Sequence, residues 1–302
     1  MNDITSAFAG IRRNIANMDG VGYADFRATC RPNRSRANVD FAFSFCLFVS
    51  SLITSMFVYD GYVLVIPLSL MVGISFHKLS LFFHEAAHYN LCTSSPVLND
   101  RVANGLIGIF LLDDIKNYRA VHLGHHRYFG QSNDPESSYQ ETLDVALIAQ
   151  LLLGIRTVKV LLRRSRDVEH KSQEKNHIRT LGMILYGFLA IFIFIVRQDL
   201  IAGLMVFGGI FCIFPFIAGI RQLLEHRLPP GGITRNFAQS PLAPIFSGVG
   251  FSYHLYHHWD PQLHYTTLPK IHSYFLNTEL KDQIMSVSST YTSTMIKSWG
   301  VK

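Results

Sequence analysis

Charge is the scarcest commodity in this chain. Asp, Glu, Lys and Arg make up 16% of its 302 residues against 49% hydrophobic, and the mean hydropathy is +0.21, too apolar for an average soluble protein. Cysteine is scarce as well. Cys30, Cys46, Cys92 and Cys212 stand far apart with no C-x-x-C, so they read as small apolar residues and offer no ligand run for an iron–sulfur cluster. No solenoid repeat and no low-complexity segment is present. Residues 1–38 are polar and hold six arginines, which does not fit a cleaved signal peptide and leaves targeting to the first apolar run.

Long apolar runs fill the gap that charge leaves. Residues 41–59 carry no charge, and 61–83 carry only His77 and Lys78 near their end. A turn signal at Asp60-Gly61 separates them. A second pair, 181–196 and 200–220, is joined by Arg197-Gln198-Asp199. At spanning length, the four runs predict transmembrane helices in two hairpins. A fifth apolar stretch, 144–162, is interrupted by Gln150, Arg156 and Lys159 and followed by Arg163, Arg164 and Arg166. Each charge inside a span costs about 2.5–3.5 kcal/mol, so this stretch is expected to lie in the interface. Of the 27 Lys and Arg, only Arg197 falls in the short loops, leaving 26 on the other side. Positive-inside orientation then places both termini in the cytoplasm, and the net charge of +6 is a topology signal that does not call for nucleic acid. The expected divisions are a cytoplasmic segment over 1–40, a membrane domain over 41–272 and a cytoplasmic tail over 273–302.

Histidine is where the chain is rich, with 14 in all. "HEAAH" at 84–88 has the H-x-x-x-H spacing, "HLGHH" at 122–126 and "HLYHH" at 254–258 both read H-x-x-H-H, and His226 stands alone in "RQLLEHR". Positions i, i+3 and i+4 share a helix face, so three faces can present eight imidazoles. Neutral imidazole is a metal ligand, and clusters at this spacing imply metal. "HEAAH" alone also fits the zinc-protease motif with Glu85 as general base. A single catalytic zinc needs only three protein ligands, however, so two metals are the natural count and Glu85 is better read as orienting a ligand imidazole. Spacing does not name the element. With four spans, all the clusters fall on one side, whereas a fifth span would strand the third.

The wider contexts "HEAAHYNL…LNDRVANGL", "YRAVHLGHHRYFGQSNDPES" and "YHLYHHWDPQLHYTTLPKIH" resemble the membrane fatty acid desaturase and hydroxylase superfamily, and within it the acyl-lipid desaturase branch. The resemblance implies an all-α integral membrane enzyme whose cytoplasmic helical cap holds a histidine-rich dimetal site. It implies two iron ions, cycling Fe²⁺/Fe³⁺, held by His84, His88, His122, His125, His126, His226, His254, His257 and His258, and O₂ as co-substrate. The implied activity is desaturation of a lipid- or carrier-linked acyl chain, with lipid or carotenoid hydroxylation or ketolation at the same centre as the alternative and a membrane zinc protease as a remote one. Electrons would come from a separate ferredoxin or cytochrome b5 with its reductase, since no haem-binding H-P-G-G is present. Gln222 stands where the family often has Asn, and Ser252 likewise. Glu85, Asp134, Glu136, Glu225 and Asp260 are candidate acceptors for ligand N–H groups, with Glu85, Asp134 and Glu225 supported by the family pattern. His77 reads as a satisfied intramembrane histidine, His170 and His177 as solvated, and His264 and His272 as supporting elements. Double-bond position, chain length and head group depend on tunnel shape, which the boxes do not encode.

Overall fold

A computed structural model describes residues 15–58, 61–159, 177–227, 234–248 and 250–301. The expected turn residue Asp60, the end of the 144–162 stretch and His170 lie outside the described residues. The protein is all-helical, 72% helix, with no strand among the described residues. Its main helices are α1 (Tyr23–Thr29), α2 (Arg34–Phe57), α3 (Tyr62–Ala87), α4 (Pro96–Ala103), α5 (Ile115–Tyr128), α6 (Val145–Leu152), α7 (His177–Val196), α8 (Leu200–His226), α9 (His254–Trp259), α10 (Leu268–Phe275), α11 (Lys281–Val287) and α12 (Tyr291–Ser298).

Four of these, α2, α3, α7 and α8, are long and apolar enough to cross a membrane, at 24, 26, 20 and 27 residues. At 1.5 Å per residue they run about 30–40 Å, against a hydrocarbon core of about 30 Å. Two of them outrun their apolar stretches where histidine motifs begin. Helix α3 continues through Glu85 to Ala87, and α8 continues through Arg221 to His226.

Residues 144–159 do not form one helix. Asp144 caps α6 by accepting from Leu147 N at 2.8 Å, and α6 ends at Leu152 because Gly154 takes φ +68°. A Cβ there would also sit 3.1 Å from the Phe211 carbonyl oxygen. Eight residues rise only about 12 Å, too little to cross a bilayer.

Two compact units emerge. One comprises 41–121 and 144–220, the apolar part of the chain. Inside it Phe48 stacks on Phe76 at 4.8 Å and Phe76 packs on Phe214 at 4.4 Å. Ser51 and Ser75 share a hydrogen bond at 3.1 Å, so their hydroxyls are satisfied without water. Large residues such as Val63, Phe188 and Ile195 point outward, as lipid-facing side chains do. Helix α8 approaches α3 closely at Gly209, where a Cβ would lie 2.6 Å from Val72 Cβ and 2.9 Å from the Ser69 carbonyl oxygen. Small residues at such crossings let helices pack in lipid. Gly209→Val is therefore expected to cost about 1–3 kcal/mol by overpacking, read as a lower thermal midpoint in detergent. Gly187→Ala, where nothing lies within 4 Å, should match or exceed the wild type; equal behaviour of the two variants would refute the close contact.

The other unit comprises the described parts of 1–40, 122–143 and 221–302. Its aromatic core stacks Tyr23 on Trp259 at 4.9 Å and Phe237 on Tyr291 at 4.1 Å. Arg27 binds the Asp260 carboxylate through two nitrogens. Residues 281–298 form α11 and α12, whose Ile284 and Tyr291 are fully buried.

His264 caps the turn that follows it. Its Nδ1 accepts from Thr266 N at 3.2 Å and lies 2.9 Å from Thr266 Oγ1. Burial, with the Arg34 charge as a lesser cause, lowers its pKa to about 4. Between there and the unfolded value near 6.5 the unfolded chain binds the extra proton. This contribution is therefore complete above about pH 6.5 and is lost as pH falls through that window, up to about 3 kcal/mol. The thermal midpoint should drop between pH 7 and 4.5, and drop less in His264→Asn, which keeps an acceptor without a titrating ring. Equal drops would refute the cap.

Candidate metal centre

The three histidine motifs begin as local helix geometry. On α5, the i, i+3, i+4 spacing turns His122, His125 and His126 to one side, with ring centroids 4.6 Å apart for His122–His126 and 5.9 Å for His125–His126. On α9 the same spacing gathers His254, His257 and His258. His226 is the last residue of α8. Helix α3 carries His84, and His88 follows its last turn; their ring centroids are 5.4 Å apart, within the apolar unit. Glu85 is buried beside them in sequence.

Within the other unit, tertiary packing sorts the remaining histidines into two triads. His122, His126 and His257 each bring a ring nitrogen within 4.8 Å of the others, and so do His125, His226 and His258. In the first, His126 Nε2 is 3.1 Å from His122 Nε2 and 3.0 Å from His257 Nε2. In the second, His226 Nε2 is 3.0 Å from His258 Nε2, and His254 Nε2 approaches it at 2.9 Å from outside the triad.

Hydrogen bonds at the far side of the rings decide which nitrogen carries the proton. His226 Nδ1 lies 2.7 Å from the Gln222 backbone oxygen, which can only accept. His125 Nδ1 lies 2.9 and 3.0 Å from the two Asp134 carboxylate oxygens. Both rings therefore hold their proton on Nδ1 and turn the Nε2 lone pair inward. His125 Nε2 is buried with no hydrogen-bond partner. A buried lone pair left unmatched costs free energy, and ligation by a cation removes that cost. Burial, reinforced by neighbouring imidazoles, pushes His254 and His258 well below the usual imidazole range, so both are neutral and ligand-competent. An all-imidazole donor set held in the correct tautomer by a carboxylate and a carbonyl is what a transition metal requires.

Other polar groups complete the surround. Burial would raise the Glu136 carboxyl, but the imidazoles that face it, His122 first and then His125 and His226, outweigh burial and bring it down to about 2; His122 Nδ1 sits 3.6 Å away. Asp134 also accepts from Glu136 N at 2.9 Å and from the Tyr139 hydroxyl at 2.7 Å. The Gln222 side chain accepts from Ser138 Oγ at 3.0 Å. Glu225, fully buried, accepts from Arg221 Nε at 3.0 Å and from the Tyr291 hydroxyl at 2.6 Å, and its Oε2 lies 3.4 Å from His254 Nδ1. His272 Nδ1 pairs with the Tyr256 hydroxyl at 2.9 Å, and His177 is exposed. Arg221, Tyr139 and Tyr291 carry no motif that sequence reasoning recognises. Only Arg221, four residues before Glu225, has an i, i+4 signal.

No curated protein matches the chain at a significant level. The family model described as fatty acid desaturase matches residues 61–291. That match takes in all three histidine motifs and His226, together with the Asp134 and Glu225 carboxylates that back them. The chain belongs to the fatty acid desaturase family.

Proposed function

We propose that the protein is an O₂-dependent membrane desaturase that introduces a double bond into a lipid- or carrier-linked fatty acyl chain. The observation that carries this reading is the pair of imidazole triads with inward lone pairs in a chain of this family. Two iron ions are held by His122, His126 and His257 and by His125, His226 and His258. His254 adds to the second set, and His84 and His88 complete the nine histidines that the family resemblance implies. Bound there, the irons supply O₂ reduction and oxidation of an unactivated C–H bond.

The chain's own residues do the rest. Burial keeps His254 and His258 neutral, and Asp134, Glu225 and the Gln222 carbonyl aim the imidazoles they face. Glu85 has the sequence position to serve His84 or His88 in the same way. The four apolar helices hold the enzyme where acyl chains are, and the positive-inside bias places both termini and the site in the cytoplasm. A separate ferredoxin or cytochrome b5 with its reductase delivers two electrons per turnover. Nine histidines exceed what a single-zinc protease uses.

Mass spectrometry of lipids from expressing cells tests the reading. A fatty acyl species two mass units lighter than in control cells, with iron in the purified protein, is the expected result. An alcohol or ketone product would move the chain to the hydroxylase or ketolase reading. A protein holding one zinc and cleaving peptides would overturn both.

A further inference from the structure

Two buried tyrosine hydroxyls sit one step behind ligand imidazoles, each on a carboxylate, in elements that no histidine motif includes. Tyr139 donates to Asp134 Oδ2 at 2.7 Å, and the same carboxylate takes His125 Nδ1 at 2.9 and 3.0 Å. Gly130 N donates to the Tyr139 oxygen at 2.9 Å, so the hydroxyl's own proton is committed to Asp134. Tyr291 donates to Glu225 Oε1 at 2.6 Å, with Glu225 Oε2 3.4 Å from His254 Nδ1. Tyr291 is itself fixed by its stack on Phe237 and by its backbone N–H, which donates to Ser240 Oγ at 3.1 Å.

We propose that Tyr139 and Tyr291 are positioning residues of the metal centre: each hydroxyl locks the plane of a buried carboxylate and so sets the angle at which His125 or His254 faces the metal. This rests on the metal reading above. A carboxylate offers about four lone-pair sites. Asp134 has them occupied by His125, the Glu136 N–H and Tyr139; Glu225 Oε1 accepts from Arg221 and Tyr291, which leaves Oε2 facing His254 Nδ1 at 3.4 Å. Losing the tyrosine contact lets the carboxylate turn and takes the imidazole with it. Both chains of contacts end on the same triad. His125 is a member of it, and His254 Nε2 touches the member His226 at 2.9 Å. Tyr139 also stacks on His226, centroids 5.5 Å apart. Weakening either tyrosine should therefore disturb that one metal position.

The test uses the full chain, purified in detergent, stripped with a chelator and titrated with Co²⁺ alone, whose visible bands report ligand geometry. Wild type should take up two Co²⁺. Tyr139→Phe and Tyr291→Phe should each weaken one of them by about 10-fold, the lower end for loss of an outer partner, and shift its bands, with helical circular dichroism intact. Combined with Asp134→Asn, Tyr139→Phe should add nothing further, because both act through one carboxylate. Tyr274→Phe, which loses a bond to the Val21 oxygen, is the control: it should lower stability and leave the titration alone. Wild-type affinity and bands in both tyrosine variants, or full additivity with Asp134→Asn, would overturn the proposal. A wild-type protein that takes up no Co²⁺ would overturn the metal reading itself, and the proposal with it.

Discussion

His125→Ala is expected to abolish the lipid product in expressing cells and to lower the iron content of the purified protein from about two per chain towards one. The imidazole is fully buried, its Nδ1 is held by Asp134, and its Nε2 has no hydrogen-bond partner. Loss of an outer partner costs about 10- to 100-fold in metal affinity or activity; removing the ligand itself costs more. His257→Ala, from the other triad, should abolish product as well. His177→Ala, at an exposed histidine on α7, should change neither product nor iron. Product formation at more than a few per cent of wild type in His125→Ala would show that the second triad is not part of the working site.

Arg119→Ala should be the most destabilising of the substitutions that leave every histidine in place. Its guanidinium donates Nε to the Ala87 carbonyl at 2.9 Å and Nη2 to the Ala86 carbonyl at 3.0 Å, and it pairs with both Asp100 oxygens. The same group lies over the Tyr89 ring, 3.8 Å from its centroid. Asn99 adds a further bond to the Ala86 carbonyl at 2.9 Å. A helix end leaves its last carbonyls without partners, and here a cation both satisfies them and opposes the negative end of the helix dipole. Truncation takes the cation from Asp100 and the Nε donor from the Ala87 carbonyl, while Asn99 keeps its bonds to the Ala86 carbonyl and to Asp100. Breaking a buried pair from one side costs about 3–5 kcal/mol; Asp100 retains 18% side-chain exposure, so about 3 kcal/mol is expected. Thermal unfolding in detergent reads this directly. Arg119→Lys should fall between, because one ammonium cannot reproduce the fork. A loss below about 0.5 kcal/mol, the ordinary surface value, would refute the role. Because the clamp grips the end of α3 that carries His84 and His88, metal content in Arg119→Lys should fall before the fold does.

Much of this protein was open to reading in one dimension because the governing periods are short. Four runs of spanning length, with Lys78 their one Lys, Arg, Asp or Glu, reflect the cost of charge in hydrocarbon, and each appears as a helix of 20 residues or more. The i, i+3, i+4 spacing of 122–126 and 254–258 is a property of one helix turn, so the shared face of each motif was visible without a partner. Boundaries were less visible. The apolar run of 61–83 stops at Phe83 while its helix continues through Ala87, since a helix persists as long as its polar extension finds partners, here Arg119 and Asn99. The break at Gly154 depended on a carbonyl of Phe211 lying against it, which no local pattern records.

The sequence by itself determined the helical class, the apolar spans and the stock of imidazoles, because periodicity and transfer free energy act on neighbouring residues. Only the tertiary structure decided how that stock is divided. His126 meets His257 across 131 residues and His226 meets His258 across 32, so the two triads cut across the motifs instead of following them. The same holds for the residues that orient the imidazoles. Asp134 lies nine residues from His125, but Tyr291 reaches Glu225 from 66 residues away. Such pairings are selected by packing and by the need to match every buried polar atom, a condition imposed on the folded chain as a whole.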